Sequence, residues 1–306
     1  MVKNYAFLLL FVATGIPTLM YAQDIKIFRA SDFDLISHVK KCLVRTNYGK
    51  EEYEFDQDSL LNKSVTRYSN QDYDITYYKY RNGELTEKRL EVYRDNTFDE
   101  ATSIANFYSI DTTAGRKVTE KIVSYSKEFL DQYEYHYNEN GKLFRIKRSN
   151  NEGTDETKID FTEVKGEHTK TIHLNGVLNQ SVRTSEKKEK DGSLQKIKLT
   201  KSFIDGNPNK AVEEIFNEAG KLISKINYYF DTKTSQFAPQ ISISYFYDDK
   251  GMLTKTETKS GETTKTKEYI YQFDETGNWV KEIITPDNAY KTREISYYQV
   301  EKPVEE

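Results

Sequence analysis

Four segments of the chain carry the same seven-residue pattern, and no other feature restricts its folding as strongly. They are Tyr137-Asn138-Glu139-Asn140-Gly141-Lys142-Leu143, Phe216-Asn217-Glu218-Ala219-Gly220-Lys221-Leu222, Tyr247-Asp248-Asp249-Lys250-Gly251-Met252-Leu253 and Phe273-Asp274-Glu275-Thr276-Gly277-Asn278-Trp279. The Asn or Asp accepts from backbone N–H groups within a turn, the next two residues form a type I turn, and Gly takes the left-handed conformation that closes a hairpin. Counting outward from each loop sets the register. Tyr137 should face Leu143, Phe216 Leu222, Tyr247 Leu253 and Phe273 Trp279, each an aromatic–apolar cross-strand pair worth ~0.2–1 kcal/mol.

The strands entering these turns alternate with a period of two, as in Tyr133, Tyr135 and Tyr137, in Ile241, Ile243, Tyr245 and Tyr247, and in Tyr269, Tyr271 and Phe273. One face of each is therefore aromatic or β-branched. Shorter signals lie between the copies. Asn82-Gly83 should pair Tyr80 with Leu85 and Arg81 with Glu84, Asn175-Gly176 should pair Leu174 with Val177, and Asp191-Gly192 joins two Lys-rich strands. A loop at Ser260-Gly261 would set Lys259 opposite Glu262 and Thr258 opposite Thr263, a hairpin polar on both faces that cannot cover an apolar core. Twenty-four tyrosines and a charged fraction of 31% fit that picture: strands held by their ladders and by Tyr, Thr and Lys stems lying against one another, without a thick core. The fold class expected is all-β, an antiparallel hairpin meander forming a long twisted or curved sheet, largely single-layered, with a partly closed β-shell or roll as the alternative. Helix is expected only in a short lead-in near Ser31 to Lys41 and around Asp99 to Phe107.

Residues 1–22 have the layout of a cleavable secretory signal: Lys3, an apolar stretch from Ala6 through Leu19 and Met20, and small Ala22 at the cleavage site. The organisation read from the chain is a signal over 1–22, a short lead-in over 23–44, a hairpin repeat domain over 45–300 and an acidic tail over 301–306. Export to the periplasm, outer surface or medium follows. Beyond residue 22 no apolar run reaches the ~20 residues of a helical span. Stretches such as Thr254-Lys255-Thr256-Glu257-Thr258-Lys259 put charge or hydroxyls on both faces, which argues against strands that face lipid.

The seven-residue pattern resembles the YD repeats of Rhs-type proteins, with Tyr247-Asp248, Gly251 and Leu253 the nearest match and Asp274 with Gly277-Asn278-Trp279 the next. The resemblance covers about 133–149, 213–230 and 241–284, and is closest to short exported YD-repeat proteins of Bacteroidetes type. In large Rhs proteins such repeats wind into a hollow shell that can enclose a toxin. The short repeat array here does not carry that role over.

No constellation of catalytic residues is legible. His168 and His173 are five apart, which puts them on opposite faces of one strand, and Cys42 is alone. Neither a phosphate-cradling Gly loop nor a nucleophile elbow appears, so no cofactor is expected. The near balance of 45 basic against 49 acidic residues argues against nucleic acid. The candidate ligand contacts are the aromatic rows, Tyr133, Tyr135, Tyr245, Tyr269, Tyr271 and Trp279, which as exposed rings would stack on a glycan or on an envelope protein. The expected function is an exported, non-catalytic binding or scaffold module. A glycan-processing hydrolase, with a cleft of convergent acids, and a small Rhs-like shell for a cargo protein are the alternatives.

Overall fold

The computed structural model describes residues 25–299, so the expected signal at 1–22 and the tail at 301–306 lie outside the described residues. A short 3-10 turn, Ala30–Phe33, precedes twenty strands. The first five are β1 Val39–Thr46, β2 Gly49–Phe55, β3 Leu61–Arg67, β4 Tyr73–Arg81 and β5 Glu84–Arg94. Then come β6 Thr97–Asp111, β7 Lys117–Ser124, β8 Phe129–Tyr137, β9 Leu143–Asn150 and β10 Gly153–Val164. They are followed by β11 Glu167–Leu174, β12 Val177–Lys188, β13 Leu194–Ile204, β14 Asn207–Phe216 and β15 Leu222–Asp231. The last are β16 Gln236–Tyr247, β17 Leu253–Ser260, β18 Thr263–Phe273, β19 Trp279–Thr285 and β20 Ala289–Tyr297.

Each strand pairs antiparallel with the next, and β20 returns to β1, with Cys42 opposite Ile295 and Val44 opposite Arg293. The meander is a closed twenty-strand barrel. That corrects two expectations. The sheet is not open, and a closed ring of single hairpins is not the YD-repeat or Rhs-like architecture that the motif resembles, so that resemblance extends to the turns alone. The reason lies in the motif: aromatic, Asx, Gly and Leu specify a local hairpin with a bulge, and nothing in it says where the first and last strands go.

The turns themselves form as read. Tyr137 pairs with Leu143, Phe216 with Leu222, Tyr247 with Leu253 and Phe273 with Trp279. Asn138 Oδ1 accepts from the backbone N–H of Asn140 at 3.0 Å and of Lys142 at 2.9 Å, and Gly141 sits at φ 70°. A further copy hides at Phe55-Asp56-Gln57-Asp58-Ser59-Leu60-Leu61, where Phe55 pairs with Leu61 and Ser59 takes the glycine's place at φ 62°. Because the pattern occupies turns from an even to an odd strand, all five copies lie on one rim, which is also where the chain enters β1 and leaves β20. We call it the near rim.

Two local readings are corrected. The β17–β18 loop is Gly261-Glu262, with Ser260 opposite Thr263 and Lys259 opposite Thr264. Glycine takes the first central position at φ 57° rather than the second; the loop moves one residue along the chain, so Thr258 faces Lys265 instead of Thr263, and the sets of side chains that share a face stay the same. The tract from Asp99 to Phe107 is not helix but part of β6. Its opening residues bulge out of the ladder, Leu90 facing Ile104 and Val92 facing Asp99, with the Ser103 hydroxyl donating to the Asp99 carbonyl at 2.6 Å. In the lead-in, the helical piece is only the 3-10 turn.

Strand alternation sorts the side chains into two faces, and the lead-in identifies the concave one. Ile25 packs beside Val118 on β7, whereas Ile36 donates to and accepts from the Asn278 side chain in the β18–β19 turn at 2.8 and 3.0 Å. The eleven-residue span, four of its residues in a 3-10 turn, reaches roughly 32 Å. Along the wall from β7 through β1 to β19 there are about eight strand steps, about 38 Å. Only a path on the concave side closes that gap. There Phe28, Ala30, Phe33 and Leu35 meet Cys42, Phe55, Leu61, Tyr53 and Tyr78 in one apolar cluster, while Val118, Tyr135, Tyr137, Leu143, Ile146, Ile159 and Ile172 form another.

Asn278, 2% exposed, therefore ties the lead-in to the far side of the seam. Asn278→Ala leaves the Ile36 N–H and C=O without their partner, and the expected loss is about 1–3 kcal/mol of stability by urea unfolding. A loss within error would mean the lead-in is not held by this side chain.

Candidate functional site

All six aromatics singled out in the sequence project from the concave face, but they do not form one site. Tyr133 and Tyr135 lie on β8; Tyr245, Tyr269, Tyr271 and Trp279 lie on β16, β18 and β19, about half the ring away. Tyr133, Tyr135 and Trp279 are buried, which removes them as open stacking platforms; Tyr245, Tyr269 and Tyr271 are half-buried. The reason is coverage by strand neighbours and by the lead-in, a contribution that alternation within one strand does not reveal.

Around Tyr135 the wall is a closed polar network. Glu120, itself buried, accepts from the Tyr135 hydroxyl, the Tyr108 hydroxyl and the Asn106 amide, each at 2.7 Å. Burial, and then the Glu120 charge, push both tyrosines well above the ordinary phenol range, so they stay protonated donors. With its lone pairs used this way, Glu120 is a structural acceptor. Near the seam, Arg293 stacks on Trp279 at 3.5 Å and donates to the Phe33 carbonyl at 2.8 Å. Burial lowers Arg293 from its ordinary value and lifts the neighbouring Cys42 thiol to about 11, which makes Cys42 an apolar filler. Trp279 and Arg293 clamp the lead-in against the wall.

A different chemistry occupies the concave face of β11 to β18. Register places Lys170, Lys196, Lys198, Lys210, Lys225, Lys265 and Lys267 on it, among Thr200, Thr256, Thr258 and the half-buried Tyr245, Tyr269 and Tyr271. Two of these lysines have acid partners, Lys198 with Glu214 at 3.0 Å and Lys267 with Asp287 at 2.7 Å; the other five make no ion pair among the described residues. The convex face mixes paired and unpaired charge. Lys41 pairs with Glu52 at 2.8 Å, Arg145 with Glu156 at 2.6 Å and Arg45 with Glu294 at 3.1 Å. Lys117, Lys121, Lys147, Lys158, Lys201, Lys259 and Lys281, also convex by register, make no ion pair among the described residues, so unpaired lysines stand on both faces; what sets the concave wall apart is that its five lie beside three half-buried tyrosines. The sequence reading missed the concave group because only the ring's register gathers residues of eight strands on one wall.

Charge also marks the convex face. At its mid-height it carries Glu52, Arg89, Lys121, Glu134, Lys147, Lys158, Arg183, Glu213, Glu257 and Glu268. A Lys or Arg on a lipid-facing strand costs about 2–4 kcal/mol at mid-bilayer. No helix among the described residues is long and apolar enough to cross a membrane. His168 and His173 face opposite sides, beside Glu163 and Asp160 respectively.

No protein-family profile matches the sequence, and no curated protein matches it. Among solved structures it is similar to a porin-like protein from Bacteroides uniformis, with 8% identity over 84% of this chain and 98% of that one and a TM-score of 0.30. It is also similar to a porin-like protein from Bacteroides vulgatus, with 9% identity over 87% and 100% and a TM-score of 0.25. Identity below a tenth transfers no residue roles.

Lys170 offers a test of the concave face. Burial, and then Lys198, lower its pKa from the ordinary lysine value. The unfolded chain therefore binds the proton more tightly, and stability should rise as pH climbs through the interval below the ordinary lysine value near 10.5. Lys170→Met should raise the neutral-pH melting temperature by roughly 2 °C, and the alkaline rise should flatten. An unchanged pH profile in the variant would place the lysine in free solvent.

Proposed function

We propose that the chain is an exported, non-catalytic β-barrel that works in water as an envelope or cell-surface binding module, and that its concave lysine–tyrosine wall takes an acidic glycan. The observation that supports this reading is the gathering of five unpaired lysines on the concave face of β11 to β18, interleaved with half-exposed tyrosine rings. Lysines supply long-range attraction to carboxylated or sulfated sugars. The rings give flat contact with little rotamer loss. A charged polar ligand needs a wetted wall, and both faces of this barrel are polar. Calorimetric titration of the processed chain with galacturonate oligosaccharides should give binding that weakens with salt. The combined variant Lys196→Glu, Lys225→Glu, Lys265→Glu should bind at least about tenfold more weakly; tenfold corresponds to about 1.4 kcal/mol. Equal affinity in the variant, or cleavage of the oligosaccharide during titration, would overturn the binding assignment.

The cargo-shell alternative asks for an apolar interior. The concave face instead carries Lys88, Glu120, Lys198, Glu214, Lys225 and Glu282 at ladder positions around the ring. A membrane pore is favoured by one observation, a closed ring with an even number of strands, which is the form bacterial outer-membrane barrels take. The charged convex face weighs against it. The processed chain should stay dispersed in detergent-free buffer and give no conductance in planar bilayers; spontaneous insertion with discrete current steps would reverse that ranking.

A further inference from the structure

Four tyrosines among the described residues keep more than a third of their surface in water: Tyr48 at 55%, Tyr68 at 46%, Tyr229 at 46% and Tyr290 at 57%. Three of them, Tyr48, Tyr68 and Tyr290, line one cleft of about 770 Å3 at the far rim, opposite the end where the lead-in sits. In a chain that covers nearly all its other tyrosines with cross-strand partners, this convergence is not explained by sheet packing. The cleft straddles the seam. Tyr290 and Thr292 come from β20, Arg45 from β1, Lys50 from β2 and Arg67 from β3, so it exists only because the ring closes.

Its cations are Arg45, Lys50 and Arg67, and no carboxylate lines it. Arg45 and Arg67 are oriented from behind by Glu294 and Glu52, each at 3.1 Å, whereas Lys50 makes no ion pair among the described residues. Asn47, Ser69 and Asn70 add short polar side chains at the mouth. Tyr68 is held in place: its hydroxyl donates to Asp74 at 2.9 Å, and burial followed by that hydrogen bond pushes its phenol up to about 12. Arg94 lies over the same ring at 5.7 Å.

We infer that this seam cleft is a second binding site, for a short acidic oligosaccharide of two or three uronate-type units. The spacing carries the choice of ligand. From β20 to β3 there are three strand steps, about 14 Å, and both the tyrosines and the cations are spread along that length. A lone phosphate would leave the rings unused, and a single flat aromatic anion would use one of them. A chain of sugar rings presents apolar faces and carboxylates in repeated succession, with hydroxyls for the Asn and Ser side chains. The site is separate from the lysine wall, being built on convex-face and turn residues.

The test is a titration of the processed chain with trigalacturonate followed by backbone amide chemical-shift changes, with maltotriose and adenosine monophosphate as controls. Trigalacturonate should perturb residues 45–50, 67–70 and 290–292, maltotriose at least about tenfold more weakly, and the nucleotide should not saturate those signals. Tyr290→Ala and Lys50→Glu, each checked by circular dichroism for an intact fold, should weaken the far-rim response by about fivefold or more. Lys225→Glu combined with Lys265→Glu should leave it unchanged while reducing binding to the concave wall, so failure at either site is read separately. Equal response to maltotriose, preference for the nucleotide, or full affinity in the Tyr290 and Lys50 variants would overturn the assignment.

Discussion

The ladder between β1 and β20 is the interaction on which the rest of this molecule depends. A meander of twenty strands without it presents two unpaired edges, each a row of backbone donors and acceptors open to any other strand. Joining them satisfies both edges at once. It also brings residues near 40 and near 290 side by side: Arg293 reaches the lead-in through Phe33 and stacks on Trp279, and Asn278 holds Ile36. The lead-in acts as a strap across the concave side of the same joint. Closure and strap reinforce one another, because each shortens the distance the other must span.

A closed wall with polar groups on both faces must find its stability without a filled interior. The two apolar clusters sit where the lead-in and the tyrosine-rich strands β7 to β11 supply cover, and elsewhere the wall relies on ladder hydrogen bonds and lateral side-chain contacts. Tyr73 stacks on Tyr93 at 4.7 Å, Phe230 meets Phe237 at 5.2 Å, and Lys255 lies 4.1 Å above Phe246. Contacts of this kind are individually small, and twenty consecutive pairings make them numerous. A tyrosine serves such a wall better than a phenylalanine, since its ring packs sideways while its hydroxyl is satisfied, as by Glu120 within the wall or by water outside it.

What could be read from the sequence was whatever a few consecutive residues decide. The hairpin registers at Tyr137–Leu143, Phe273–Trp279 and Tyr80–Leu85 follow from glycine, Asx and alternation, and they match the ladders. The misses have equally local causes or wholly non-local ones. Ser59 performs a glycine's job and masked a copy of the turn; Gly261 took the first turn position and moved the loop by one residue; the Asp99 tract is part of a strand with a bulge held by the Asp99 and Ser103 side chains. Ring closure pairs residues about 250 apart in sequence, and no single-strand pattern encodes it. Burial within the candidate aromatic set has a related cause. Alternation identified a shared face without telling whether the lead-in or a neighbour would cover it, so Tyr133 and Trp279 are buried while Tyr48 and Tyr290, beside turns at distant positions, stay open.

Charge sorting completes the argument from closure to chemistry. In an open sheet the concave lysines of β11 to β18 and the charges on the opposite side would both face bulk water, where screening makes them nearly equivalent. Closing the ring puts one set on a curved wall around a shared interior, where fields from neighbouring strands add, and leaves the other set on a convex surface that spreads its charges apart. The same five residue types, Lys, Glu, Thr, Ser and Tyr, thus line a shared interior on one side and an exterior of mixed paired and unpaired charge on the other. Because each strand step preserves the face, a ring with any odd number of single-residue register slips would break this sorting. The observed bulges lie next to turns or are compensated within their own hairpin, so the lysines from Lys170 to Lys267 stay on one side through seven successive pairings.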